Sequence, residues 1–239
     1  MRRTHSQDVF QRLANDIVAG RIEPGSKLED RAIAKQFAVS RTPVREALRQ
    51  LVGTGLAETG VRGGVTVARI DGHRLNDMFE ALGELEGLCA RLSAQRMTQI
   101  ERQKLRRCDA KCLEAASRND AGGFAALNEE FHELIYSGTH NASVRQITQS
   151  FRQRLRPFRV PTFHVIAGRV RSSVEEHHEI VEAIVAADEE RACQAMRSHV
   201  AATSVSVIDY FEKVRAGLAP AFIPPDADEP AALVSASPG

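Results

Sequence analysis

Three histidines and an asparagine are spaced as a set of divalent-metal ligands. Asn128 and His132 stand four apart in NEEFHELIY, so they share one face of a helix. His177 lies in EEHHEIVEAI and His199 in RSHV, 22 residues further on. On one straight helix they would be about 33 Å apart, at about 1.5 Å of rise per residue. A break at Ala187-Asp188 falls midway between them. If the chain reverses there, both imidazoles return to the same level of an antiparallel hairpin and can meet the Asn128/His132 pair. Three imidazole nitrogens and a carboxamide oxygen, with positions left open, suit Zn, Ni or Mn. Taken singly, a histidine is more often a core residue than a ligand; the matched arm lengths bring the joint metal reading level with that one. His178 adjoins His177 and points about 100° away on a helix, so it competes for the same place. Asn128 offers a neutral oxygen, a weaker ligand than a carboxylate.

A second chemistry sits near the amino end. VSRTPVREALRQL places Arg41, Arg45 and Arg49 four apart. On a helical wheel Val44, Ala47, Leu48 and Leu51 gather on one side, facing a core. Thr42, Arg45 and Arg49 gather on the other. Ser40 or Thr42 can cap the helix, and Pro43 suits only its first turn. Free N–H groups, the positive end of the helix dipole and the Arg41/Arg45 forks then point one way. That arrangement grips phosphates and guanine edges. A solvated surface helix is the plainer explanation, but the next segment of chain tips the balance. Arg62 sits beside Gly63-Gly64, where a flexible turn presents a cation to an adjacent groove.

The elements that position these residues are set by hydrophobic period. Val9, Leu13, Ile17 and Val18 recur at helical spacing and Gly20 closes that helix. RIEPGSKL is a turn, residues 29–37 a short second helix, AVS a tight connection, and the arginine helix a third. LAETGVRGGVTVARI alternates as two short strands about a Gly-rich turn. Three helices and a ribbon make a winged helix-turn-helix. From Asp71 strand signals disappear, and six helices are expected, at about 73–94, 98–117, 121–139, 143–157, 169–187 and 189–214. The segment from Pro157 to Gly168, with a second proline at 161, reads as an interruption. The predicted class is mainly α: a winged helix-turn-helix over residues 1–70, an antiparallel helical bundle over 71–215, and a disordered Pro/Ala/Asp-rich tail over 216–239.

Composition agrees and excludes alternatives. The chain of 239 residues carries 26% charged and 5% aromatic residues and no Trp. Its net charge of +1 hides an asymmetry. Residues 1–75 hold 13 Lys+Arg against 8 Asp+Glu, and the remainder 19 against 23. A basic first third on an acidic body means that only the first part meets a polyanion. No apolar run reaches the roughly 20 residues needed to cross a bilayer, and no signal-peptide core succeeds the first basic residues. A cytoplasmic protein without a membrane partner is expected. Cys89, Cys108, Cys112 and Cys193 form no CxxC pattern and read as buried, reduced thiols.

KLEDRAIAKQFAVSRTPVREALRQLVGTGLAE resembles the winged helix-turn-helix of GntR-family transcriptional regulators, over about residues 6–70. The resemblance implies that Arg31, Arg41, Thr42 and Arg45 contact operator bases or phosphates, with the Arg62–Gly64 wing nearby; Ser40 and Arg49, read from the arginine helix itself, complete the expected DNA-binding set. The wing, GVRGGVTV, lacks the Pro-Arg-Arg or His-Gly forms of the family. Residues 75–213 resemble the FCD effector domain of the FadR-type subfamily, through ELEGLCARLSAQRMT, NEEFHELIYSGTHN and GRVRSSVEEHHEIVEAI. In that family an Asp or Asn and three His bind a metal that helps hold a small organic acid. Carried over residue by residue, this implies Asn128, His132, His177 and His199. Some members carry an Arg where this chain has Leu82; Arg154, Arg156 and Arg159 are the candidates to replace it, although RQRLRPFR also reads as a solvated face. The function implied is a homodimeric DNA-binding regulator, a repressor or activator, whose operator affinity answers to a carboxylic acid effector near a divalent metal. A metal-dependent hydrolase using the same ligand set is the alternative, and it leaves the DNA head without a purpose. A non-sequence-specific architectural DNA protein is disfavoured by the modest charge of the head.

Overall fold

The computed structural model describes residues 4–18, 21–60, 63–69 and 72–219. The helix stop assigned to Gly20, the wing cation Arg62 and most of the 216–239 tail lie outside the described residues. The chain forms two compact units, one of which spans Gly72–Tyr210; the other comprises the residues before it together with those from Phe211 onward.

In the first unit, helices α1 (His5–Val18), α2 (Asp30–Gln36) and α3 (Arg41–Gly53) precede strands β1 (Ala57–Thr59) and β2 (Val65–Val67). The strands pair antiparallel, Ala57 opposite Val67 and Thr59 opposite Val65. Helix α3 packs on α1, α2 and β1, burying Val44, Ala47, Leu48 and Leu51, the apolar stripe expected from the sequence. Burial of four such side chains is worth about 1.5–3 kcal/mol for each large aliphatic, which holds the opposite, polar face outward. Ala38 takes a left-handed φ of 51° between α2 and α3, the conformation that ends one helix and turns the chain tightly into the next. Ser40 occupies the N-cap position of α3 without making a side-chain cap bond. The expected capping by a hydroxyl is therefore not how this helix starts.

Six helices form the second unit: α4 (Gly72–Arg96), α5 (Gln99–Ser117), α6 (Ala121–Gly138), α7 (Ala142–Val165), α8 (Arg169–Val185) and α9 (Glu189–Arg215), of which the last runs on past Tyr210. Their starts are signalled locally. Thr98 and Glu101 form a reciprocal capping box on α5, Asp120 accepts from Gly123 N on α6, and Asn141 accepts from Ser143 and Val144 N on α7. Gly87 lets α4 and α9 approach: a Cβ there would meet Arg197 Cγ at 3.0 Å and the Cys193 carbonyl at 3.3 Å. The aromatic core is Phe79, Phe124, Phe131, Tyr136 and Phe158. All four cysteines are buried free thiols. Among the described residues no helix is long and apolar enough to cross a membrane.

One element departs from expectation. Helix α7 continues through Pro157 and Pro161 to Val165 instead of stopping at 157. A proline inside a helix removes a backbone bond and costs about 3 kcal/mol or more. Here the helix buries Leu155, Phe158 and Phe163 along with both prolines. Tertiary packing outweighs the local penalty.

Candidate functional site

In the helical unit, the sequence brings one residue set together from three elements. His132 stands on α6, His177 on α8 and His199 on α9, all buried. The connection at Ala187, with its left-handed φ of 58°, reverses the chain between the last two helices. One ligand nitrogen from each ring lies within 4.8 Å of the others. Ring centroids are separated by 5.3 Å for His132–His199, 5.6 Å for His132–His177 and 4.9 Å for His177–His199. Asn128 lies one turn before His132 and lines the same small cavity as His199. His178, the rival of His177, is exposed and faces Asp109 at 3.2 Å.

Around these rings runs a buried polar frame. The Glu86 carboxylate accepts from Tyr136 Oη at 2.6 Å and Arg152 Nη1 at 2.7 Å, and its other oxygen stands 3.1 Å from His132 Nδ1. The latter contact has ion-pair distance without hydrogen-bond alignment. Glu176 accepts both Arg169 Nη groups at 2.9 and 3.0 Å and meets His199 Nδ1 at 2.6 Å. Arg169 also donates to Thr203 Oγ1. Glu129 pairs with Arg159 at 3.1 Å and Arg152 at 3.7 Å. Three carboxylates thus face three guanidiniums, a locally balanced set.

Titration reflects this environment. Burial would raise the Glu86 carboxyl, yet Arg152 and His132 hold it well below the usual carboxylate range. Glu129, also opposed by burial, is pulled down to about 2 by Arg152 and Arg159. Burial first and Arg152 second push His132 down to about 3, and burial likewise lowers His177 and His199. All three imidazoles are therefore neutral near pH 7, the form that binds metal.

The donor set fits a cation by a second measure. Asn128 Oδ1, His132 Nε2 and both ring nitrogens of His177 have no hydrogen-bond partner among the described residues. A buried polar group left so costs about 1–3 kcal/mol, and these four atoms belong to the proposed ligand set. One ion would satisfy Asn128 Oδ1, His132 Nε2 and one of the two His177 nitrogens together. Where the carboxylates engage Nδ1 of His132 and His199, Nε2 is the nitrogen left to coordinate.

The cavity beside the rings is lined by Asn128, Arg152, Arg159, His199 and Thr203, with Leu82 and Phe163 in its wall, and holds about 10 Å³, room for roughly one water. Leu82 leaves the place of the family arginine apolar, and the cations come from α7. They are Arg152 and Arg159, both buried. Arg154 is exposed over the Phe151 ring, and Arg156 is half-buried. Reading Pro157 as a helix stop obscures this, because Arg152 and Arg159 share a face only if the helix continues through it. Glu86, Arg152, Arg169 and Thr203 escape sequence reasoning; Glu86 finds its partners 50 and 66 residues away, Arg169 and Thr203 are 34 residues apart, and only Glu176, seven residues after Arg169, is conspicuous beside His177. A larger cavity of about 810 Å³ opens between the end of α5 and the α7–α8 connection, with Phe163 in its wall as well.

In the first unit, Arg31, Arg41, Thr42, Arg45 and Arg49 are exposed, as are Ser40 and Gly64. Arg41 and Arg45 share a carboxylate: Asp30 Oδ2 lies 2.7 Å from Arg41 Nη2 and 3.0 Å from Arg45 Nε. Arg49 lies 3.7 Å from Glu46.

Residues 5–67 match the family described as bacterial regulatory proteins, gntR family, and residues 77–202 match the FCD domain. The chain is 29% identical over 204 residues to a probable D-xylose utilization operon transcriptional repressor of Paenarthrobacter nicotinovorans, covering 84% of this chain and 88% of that one. It is 30% identical over 220 residues to an uncharacterized HTH-type transcriptional regulator in an unstable DNA locus of Streptomyces ambofaciens, covering 90% and 88%. Among solved structures it superposes on McbR/YncC of Escherichia coli with a TM-score of 0.66 at 21% identity, covering 87% of this chain and 99% of that one. The matched families and relatives are transcriptional regulators rather than enzymes, which sets aside the hydrolase alternative.

Proposed function

The chain belongs to the gntR family of bacterial regulatory proteins, as a DNA-binding transcriptional regulator with an FCD domain, and from that premise we propose that a divalent metal and a small organic acid in its helical unit set its affinity for an operator. The observation that carries this reading is the convergence of unpartnered buried donors at Asn128, His132 and His177 beside His199.

Charge gives the effector its class. The carboxylates and guanidiniums of the frame are balanced, and the four ligands are neutral. A divalent ion held by Asn128, His132, His177 and His199, with zinc, nickel or manganese as the candidates, would keep its charge available to an anion. Arg152 and Arg159, in the wall of the adjoining cavity, suit the carboxylate of the same ligand. As it stands the cavity admits about one water, so an acid must displace Phe163, Leu82 or a neighbouring side chain to enter. A ligand that selects the opened arrangement shifts the protein towards it only by its difference in affinity for the two.

The DNA reading rests on Arg31, Arg41, Thr42 and Arg45, with Ser40, Arg49 and Gly64 around them and Arg62 in the wing. The exposure of Arg31, Ser40, Arg41, Thr42, Arg45, Arg49 and Gly64 and the buried stripe of α3 support it. A homodimer on a two-fold operator is the proposed assembly, in the cytoplasm, and repression is the proposed sign, after the D-xylose operon relative. A thermal-shift screen of small carboxylic acids with and without zinc, nickel and manganese tests the effector site. Stabilisation by an acid only when metal is present is the expected outcome; equal stabilisation without metal would overturn the metal-assisted reading.

A further inference from the structure

Asp30 is the first residue of α2, and its carboxylate lies against the start of α3. Three N–H groups converge on a single oxygen, Oδ2: Arg41 Nε at 3.2 Å, Arg41 Nη2 at 2.7 Å and Arg45 Nε at 3.0 Å. Both arginines remain largely exposed, at 45% and 60% of their side-chain surface, whereas Asp30 keeps 23%. The two cations hold the Asp30 carboxyl below its ordinary range, so it remains charged. An anion therefore stands where a polyanion is to dock.

We propose that Asp30 is a specificity-determining residue, which orients Arg45 towards base edges and penalises contact of Arg41 and Arg45 with phosphate. The proposal rests on the reading of α3 as the recognition helix and goes beyond it.

The geometry supplies both halves of the case. Asp30 takes Nε of Arg45 and leaves Nη1 and Nη2 without a hydrogen bond to any described residue. Those two nitrogens are the end-on fork that matches guanine O6 and N7. Arg45 can meet a guanine while its Nε stays on Asp30, and the guanine brings no charge near the carboxylate. A phosphate meeting the same fork places an anion beside Asp30, and like charges at such a distance repel. Arg41, held through Nε and Nη2, is withdrawn further from generic contact. Binding to arbitrary DNA, which is almost wholly phosphate contact, is weakened more than binding to an operator.

The test uses the full-length protein, Asp30→Asn, and Asp30→Ser as a second uncharged variant with a residue that helix starts tolerate. Thermal melts first confirm folding. Each protein is taken through selection from a random duplex pool. Anisotropy titrations are then run across salt, with the duplex selected by the unsubstituted protein and a scrambled duplex. Loss of the charge is expected to tighten scrambled-DNA binding roughly two- to fivefold, the scale of an exposed ion pair. The salt slope should steepen by about 0.9 for each phosphate gained, and selection at the guanine position should relax. Unchanged scrambled-DNA affinity, or a loss confined to the selected duplex, would overturn the proposal. Arg45→Ala separates the two levels. If it keeps its selectivity, the recognition-helix reading fails. If it loses selectivity while both Asp30 variants keep theirs, only the role of Asp30 fails.

Discussion

His199 Nδ1 stands 2.6 Å from Oε2 of Glu176, which leaves Nε2 of that ring for a ligand. The carboxylate itself is anchored by both Nη groups of Arg169. A chain of contacts therefore runs from a buried guanidinium to the nitrogen that is to coordinate. Outer partners of this kind commonly govern metal affinity by about 10–100-fold. Glu176→Gln, which keeps the shape and one acceptor oxygen, should weaken zinc binding by about tenfold, measured by competition with a chromophoric chelator. Unaltered affinity would show that Glu176 serves Arg169 alone.

Substitution of the ligands themselves should give larger effects. His177→Ala with His199→Ala leaves two of the four donors and should abolish stoichiometric metal in elemental analysis. Asn128→Asp works in the other direction, since a carboxylate is a stronger oxygen ligand for a divalent cation than a carboxamide. Chelator competition should place that variant above the unsubstituted protein. Metal retained in full by the double variant, or weaker binding by Asn128→Asp, would assign the ligands wrongly.

At the DNA head, Arg45→Ala should abolish sequence-selective mobility shifts while the melting profile stays that of a folded protein. Arg45→Lys should restore little, because a lysine ammonium cannot make the bidentate contact of a guanidinium fork. Selective shifts at undiminished affinity in either variant would remove α3 from the role of reader.

The capping box at the start of α5 predicts a pH signature. Glu101 Oε2 accepts from Thr98 N at 2.8 Å, and Thr98 Oγ1 accepts from Glu101 N at 3.3 Å. Burial would raise the Glu101 carboxyl, but the Thr98 backbone and hydroxyl groups and His140 hold it down. A carboxyl lowered on folding stabilises the fold above its unfolded pKa and ceases to do so as the pH falls through the folded value. Thr98→Ala should therefore cost about 1 kcal/mol near neutrality, read by urea unfolding. The stability gap between the unsubstituted protein and Glu101→Gln should narrow on acidification below the ordinary glutamate range. A gap independent of pH would mean that the Glu101 charge contributes nothing.

Much of this architecture is legible in the residues, for identifiable reasons. The apolar stripe Val44, Ala47, Leu48 and Leu51 has the period of a buried helix face and is buried as such. The near-equal distances of His177 and His199 from the Ala187-Asp188 break, 10 and 11 residues, anticipate the ring cluster, because antiparallel arms of nearly matched length bring those levels together. Local signals fail where tertiary packing dominates. Pro157 and Pro161 argue for a break in α7, yet Leu155, Phe158 and Phe163 bury enough apolar surface to keep it helical. A break there conceals Arg152, which shares a face with Arg159 seven residues on, behind the more conspicuous Arg154 and Arg156. The pairing of Glu86 with Arg152 spans 66 residues and has no local signature.

If the histidine-lined site governs the DNA head, operator affinity must respond to effector. Fluorescence anisotropy of a selected operator duplex should be recorded for the metal-loaded protein with the best acid from the thermal-shift screen, and repeated with His177→Ala/His199→Ala. Coupling of ordinary size changes affinity by about 5–150-fold. Control of the DNA head by the metal site requires a shift of at least about fivefold in the unsubstituted protein and none in the double variant. An equal shift in both, or operator binding indifferent to every acid that stabilises the metal-loaded protein, would contradict it.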